Sequence, residues 1–324
     1  MPELFAQYES DKQATVPLEY FYVKKKKTGI PLLSKITFGL STGAGISYFR
    51  HTLDGFGIQQ NPGEAPLIYT GNSFPQYGNW FNTTVRDTLP VLPSSFRVSS
   101  DSATLGFKGR GLNIPIKATL HYEWKRYRIG GGISYEYMTV GNFRPLSYKN
   151  EIAEYSPAAK GGFMRKIFGM AGVAVYRYQY YLLVVDAQIG SYKPSRTFNL
   201  GQIQKGIYYN VGVTIERDMS EYLRLFVRPS YDIKNFTLSV PETGLGIKHR
   251  FNALYINVGA TYRFPELRRC VIDGCRAQVN HAHGNKEYRS KVHPIYKKQN
   301  PYYGENYPRL IKYKGKNNRK LNPY

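Results

Sequence analysis

The sequence predicts an all-β protein: an eight-stranded antiparallel transmembrane β-barrel followed by a long, mostly irregular basic C-terminal tail. Three observations predict it. Eight stretches alternate apolar and polar residues with a period of two, which only an extended strand sorts onto two opposite faces. The connections between them run long, short, long, short, long, short, long, as in barrels with tight turns on one rim and large loops on the other. Aromatic use is heavy, with 30 Tyr and 17 Phe in 324 residues, and a barrel needs a girdle of such rings at each lipid–water boundary.

In chain order, residues 1–34 form an N-terminal segment. Its first residues, MPELFAQ, lack a cationic start and a full apolar core, yet Leu4-Phe5-Ala6 ahead of Gln7 reads as the remnant of a cleaved signal (1–6), with the mature chain beginning near Gln7. The charge run 24–27 reads as a solvated linker. The barrel spans 35–264, with strands expected at 36–50, 112–124, 127–140, 161–176, 179–193, 206–217, 222–234 and 253–264. The clearest is 112–124, where Leu112, Ile114, Ile116, Ala118, Leu120, Tyr122 and Trp124 oppose Asn113, Pro115, Lys117, Thr119, His121 and Glu123. Strand 161–176 competes with a short helical reading of 164–170. Segments 51–111, 141–160, 194–205 and 235–250 become outward loops, and 125–126, 177–178 and 218–221 inward turns. The first loop, with Phe74, Tyr77, Trp80 and Phe81, suits a partner-contacting surface or a partly ordered cap. Gly130-Gly131-Gly132 lies inside a strand, where small residues relieve crowding.

The longest apolar block, 180–185, is six residues, far short of the ~18 to 20 a spanning helix needs, so a helical membrane protein is excluded. A soluble antiparallel barrel or sandwich also alternates, but its strands average ~5 to 6 residues. By alternation the lumen receives Lys117, Glu123, Arg128, Glu136, Asp186, Glu216, Arg224, Arg228, Asp232 and Arg263, with Tyr208, Phe226 and Tyr255. Eight strands enclose only enough room for side chains, and buried charges must pair, so the expectation is a closed scaffold filled by salt bridges. His51, Asp54, Ser99, Ser100 and His249 share the outward side, but no catalytic motif joins them, and neither an enzymatic activity nor a cofactor is expected.

The tail, 265–324, carries 14 Lys and Arg against 4 acidic residues, +10 of the chain's +23. Such a segment has little to bury, but Arg268, Arg269, Arg289, Tyr296, Tyr302, Tyr303, Tyr307 and Tyr313 are spaced to lie along a partner and anchor by aromatic and basic contacts. Basic charge interleaved with Tyr also suits nucleic acid; no recognition motif accompanies it, and across a membrane none would be waiting. Both cysteines, Cys270 and Cys275, open this tail, with His281 and His283 shortly after. Three readings stand in order: an internal disulfide with Asp273-Gly274 in its turn, a mixed disulfide to a partner, and a zinc site formed by all four residues.

A barrel ending at Tyr262-Arg263-Phe264, then Cys270-x4-Cys275, His281-x-His283-Gly284 and a basic tail with Gln299-Asn300-Pro301 and Tyr303-Gly304-Glu305-Asn306 resembles outer-membrane barrel proteins of the Bacteroidota, most of all the PorG-like components of the type IX secretion and gliding machinery. The resemblance implies an outer-membrane anchor whose periplasmic tail engages lipoprotein and soluble subunits of an envelope complex, with a cysteine able to cross-link to them. The expected function is thus a non-enzymatic anchor contacting outer-membrane lipid and periplasmic subunits, and no nucleic acid. Two alternatives stand behind it: a surface protein that binds ligands or adheres through its loops, and a basic nucleic-acid-associated protein.

Overall fold

The computed structural model describes residues 26–289, apart from 31, 72–75, 88, 196–197, 220–221, 274 and 276–279. Residues 1–7, and Tyr296, Tyr302, Tyr303, Tyr307 and Tyr313 of the tail, lie outside the described residues. Eight long strands form a ring: β1 (Ile36–Thr52), β2 (Gly106–Trp124), β3 (Tyr127–Thr139), β4 (Gly161–Tyr178), β5 (Tyr181–Pro194), β6 (Tyr208–Asp218), β7 (Leu223–Ile233) and β8 (Gly246–Arg263). Each pairs antiparallel with the next, and β8 returns to β1 from Lys248↔Thr52 to Arg263↔Thr37. Closure leaves the wall of the barrel no unpaired backbone edge.

Period-two alternation produces two unlike faces. On β2, Leu112 and Ile116 are 62% and 57% exposed, while the residues that follow each of them, Asn113 and Lys117, are 1% and 3% exposed. Leu40, Ile133, Ile167, Val211, Val227 and Ile256 extend the outward apolar belt around the ring. Phe38, Trp124, Tyr127, Tyr178 and Tyr181 rim it on the short-turn side, and Tyr48, Tyr137, Phe163, Tyr209 and Tyr231 on the loop side. On β3 the two rows are about 10 residues apart, which at ~3.3 Å per residue and ~40° of tilt spans roughly 25 Å, the height of a membrane-barrel apolar band.

The strands run further than expected on the loop side. β2 begins at Gly106, because Gly106, Gly109 and Gly111 hide its alternation. β4 is strand throughout, in register with β3 from Gly161↔Thr139 to Val173↔Tyr127, so the helical option for 164–170 is overturned. The expected loop 235–250 contains a strand, Asn235–Ser239, that pairs with the start of β8 and with Ile203–Lys205. At the Gly130–Gly132 triplet of β3, a Cβ on Gly130 would lie 2.1 Å from the Leu120 carbonyl oxygen of β2, so crowding between paired strands requires glycine there.

Between β1 and β2 the described residues of 53–105 form a cap. Its strands Val85–Asp87, Gln76–Gly78, Leu67–Tyr69, Gly57–Gln60 and Phe96–Ser99 form, in that order, an antiparallel five-stranded sheet. The main hydrophobic core gathers here, over the barrel's loop-side mouth, where Phe81 packs against Phe49, Phe143 and Phe198 at centroid distances of 5.5, 5.2 and 5.6 Å. Trp80 stacks on Tyr155 at 4.2 Å. Burial pushes the Tyr155 hydroxyl above the usual tyrosine range, keeping it a neutral donor to Asn79 Oδ1 at 3.2 Å.

Both ends of the barrel emerge on the short-turn rim, and there the mostly irregular tail contains one short regular unit among its described residues. His281–His283 and Lys286–Tyr288 form a hairpin, and Lys26–Lys27, expected as linker, adds to it in parallel as a third strand. The chain entering the barrel and the chain leaving it thus share one small sheet.

Candidate metal centre at the inner rim

The lumen limits what the barrel can do. At mid-height Lys166 on β4 lies between Glu136 and Asp232, with its Nζ 2.7 Å from Asp232 Oδ2. Lys234 adds a second cation 3.2 Å from the same Asp232 oxygen. Asn113 donates to Ser47 Oγ at 2.8 Å and to the Tyr255 hydroxyl oxygen at 2.7 Å, completing the layer. Toward the inner rim, Arg128 donates to Glu216 at 2.7 Å, Arg224 to Glu123 at 2.9 Å, and Arg263 also contacts Glu123. Arg228 grips Asp186, with 2.9 Å from Nε to Oδ1. Ions removed from water need partners of this quality. Between the two layers is a cavity of about 50 Å³ lined by Lys117, Arg128, Asp186 and Arg228 among others. The ten expected inward charges are all buried, and Phe226 shares their face half-buried.

Of the outward residues considered for catalysis, His51 and His249 are cross-strand neighbours with ring centroids 5.0 Å apart, while Ser99 Oγ donates to Asp101 Oδ2 at 3.0 Å. His51 is buried and accepts a hydrogen bond from Trp80 Nε1 at 3.1 Å, and His249 stacks on Phe236 at 4.5 Å. Ser100 Oγ accepts from the Gly55 amide, while Asp54 is exposed.

At the short-turn rim the four residues expected to share sulfur or metal chemistry do meet. His281 and His283 are two apart on one strand, so both imidazoles take the same face. Gly284, at φ +57°, turns the chain into Lys286–Tyr288, a backbone conformation that glycine adopts without a Cβ penalty. Tyr288 leads to Arg289, whose amide donates to the Arg268 carbonyl at 2.9 Å, and the Cys270 amide donates back to the Arg289 carbonyl at 3.2 Å. That exchange sets Cys270 beside the hairpin, buried. A turn with Cys275 N donating to Ile272 O at 3.3 Å then brings Cys275 back toward it.

One ligand atom from each of Cys270, Cys275, His281 and His283 lies within 4.8 Å of every other. Cys270 Sγ is 3.4 Å from His283 Nε2, Cys275 Sγ is 3.2 Å from His281 Nε2, and the two Nε2 atoms are 3.0 Å apart. Tetrahedral zinc, with bonds of ~2.3 Å to sulfur and ~2.0 Å to nitrogen, sets its ligand atoms roughly 3.3 to 3.7 Å apart. Those three separations agree with it within a few tenths of an ångström, while the widest separation in the cluster is bounded at 4.8 Å. Both cysteines are free thiols, so the internal disulfide is not formed. Its physical reason is placement, since each sulfur faces a different imidazole.

Of the remaining partner-binding expectations, Arg268 and Arg269 are exposed beside Cys270, and Arg289 is half-buried with its guanidinium 5.4 Å from the ring of Tyr222 on an inner turn. Lys166 and Lys234 were not anticipated. Met164 and Phe168 flank Lys166 on the inward face while Arg165 points outward, so neither polarity nor period marked the side; pairing with β3 does.

No protein-family model matches the sequence, and no curated protein does. Among solved structures, the outer membrane protease OmpT from Escherichia coli is similar at 10% identity over 74% of this chain and 100% of that one, with a TM-score of 0.33. The outer membrane protein OprG from Pseudomonas aeruginosa gives 7% identity, 75% and 99% coverage, and a TM-score of 0.29. The translocator domain of the autotransporter NalP from Neisseria meningitidis gives 12%, 81% and 98%, and 0.24.

Proposed function

We propose that this chain is a filled outer-membrane barrel that anchors an envelope assembly through its basic C-terminal segment, the partners being periplasmic or lipoprotein subunits of the type IX secretion and gliding kind. The observation that carries the membrane half is the uncovered apolar belt between two rows of aromatic rings, which has a low free energy only in hydrocarbon. The belt also speaks against a soluble nucleic-acid-associated protein. The anchoring half rests on elimination and sidedness. Mostly paired charges occupy the lumen and an aromatic cap covers its mouth, and both chain ends leave on the short-turn rim, where +10 of the net charge follows the last strand.

Cell fractionation and a truncation test the two halves separately. The full chain should partition with outer membranes and show heat-modifiable gel mobility. A chain ending at residue 264 should keep both properties, because β8 ends at Arg263, yet lose its co-purifying subunits. Recovery of the same subunits at full yield would sink the anchoring reading and shift attention to the outward loops. One feature favours those loops as ligand binders, a cavity of about 740 Å³ bordered by Arg50, Lys108, Arg110 and Arg144.

A further inference from the structure

We propose that Cys270, Cys275, His281 and His283 bind one zinc ion, which staples the hairpin of the chain leaving the barrel to its Cys270–Cys275 segment beneath the short-turn rim, where the chain entering the barrel adds to the same sheet. This goes beyond anchoring and holds or fails independently of any partner.

Four converging ligand atoms from two short segments carry the proposal. A disulfide would use the two sulfurs and leave two imidazole nitrogens facing each other 3.0 Å apart. A mixed disulfide could use only the half-buried Cys275, since Cys270 is 2% exposed, and neither option gives the histidines a role. Zinc uses all four atoms. Two thiols and two imidazoles form the donor set that tetrahedral zinc takes in closed structural sites. On binding, each thiol releases its proton to solvent and the thiolate bonds to the metal, so the two negative charges offset the ion's two positive ones.

The module's size explains what such an ion would do. Its sheet has only strands of two or three residues, Lys26–Lys27, His281–His283 and Lys286–Tyr288. Cys270 is its sole buried apolar residue among those described. A unit this small lacks the core that holds larger folds together and typically needs a metal or a cross-link. The ligands sit on one edge strand and the Cys270 turn, while the other edge is Lys26–Lys27, 2.8 Å from Lys26 N to Asn285 O. Thr28 continues the link by donating to Glu287 O at 2.6 Å and accepting from the Arg268 amide at 3.2 Å. The ion would thereby fix where and in what direction the residues after 289 depart.

The test uses the full chain, made in bacterial outer membranes with a tag free of histidine and extracted in detergent without chelator. Elemental analysis should find about one zinc per chain, and Cys275→Ser and His281→Ala should each fall at least tenfold while keeping heat-modifiable mobility. Denaturing mass analysis should show both thiols reduced, and alkylation of native protein should accelerate about tenfold once a chelator is added. A wild-type chain with no zinc, or a mass two daltons lower from a disulfide, overturns the site. The staple has its own readout. Trypsin should cut between residues 266 and 289 about tenfold faster after chelation, and an unchanged rate despite metal loss overturns that role.

Discussion

The barrel lumen and the knot beneath its rim both order polar side chains, but by opposite means. In the lumen the backbone comes first: eight mutually paired strands hold Lys166, Glu136 and Asp232 in place, and the side chains have only to satisfy one another. In the knot the backbone is nearly absent, with a few hydrogen bonds among strands of two or three residues, and the side chains must hold the backbone. Deleting a lumen charge should therefore leave the shape intact but carry a large electrostatic cost, whereas deleting a knot ligand should cost the barrel almost nothing and abolish local order.

The largest expected effect is Lys166→Met. It leaves Glu136 and Asp232 with Lys234 alone, 3.7 and 3.2 Å away, to offset two buried charges, a defect that costs up to about 3 to 5 kcal/mol; the midpoint of urea unfolding in detergent micelles should fall accordingly. Pairing it with Glu136→Leu should restore more than half of the loss, and failure to restore would mean that the lumen is not organised by charge pairing. Next comes the cap. Phe81→Ala empties a site ringed by Phe49, Phe143 and Phe198, costing about 3 kcal/mol. Because this lies beyond the wall, proteolysis within 51–105 should rise while heat-modifiable mobility survives. Cys275→Ser should shift the barrel's unfolding midpoint by less than about 1 kcal/mol, the usual scale of changes remote from a core. A shift as large as that of Lys166→Met would erase the contrast between the two regions. Smallest is Lys27→Ala, which breaks an ion pair to Glu266 that is nearly half exposed on both sides; screening limits it to about 0.5 kcal/mol or less.

Legibility followed the same division. Strand β2 was readable because a wall between lipid and lumen demands strict alternation, and Leu112 through Trp124 supply it. Where strands rise above the apolar belt, at Gly106–Gly111 and at the start of β8, both faces meet protein or water and the alternation fades. The cap was half-readable, with Trp80 and Phe81 noticed but their burial hidden, since it depends on Phe49, Phe143 and Phe236 from distant strands. The knot's four residues were all visible as residue types, but spacing along the chain ranked an internal disulfide first and the two sulfurs are not joined, whereas the hairpin's two-residue period sets each sulfur beside an imidazole.

By itself the sequence determined the strand class, the sidedness of the loops, the buried charge of the lumen and the basic excess after the barrel, because each follows from local period and composition. Only the tertiary structure decided which cation bridges which carboxylates, that 51–111 forms a sheet over the barrel mouth, and that residues before β1 and after β8 meet in one sheet around four ligand atoms. Those outcomes depend on contacts between residues tens to hundreds of positions apart, such as Lys26 with Lys286. Ring closure brings such positions together, and no window of sequence contains both partners.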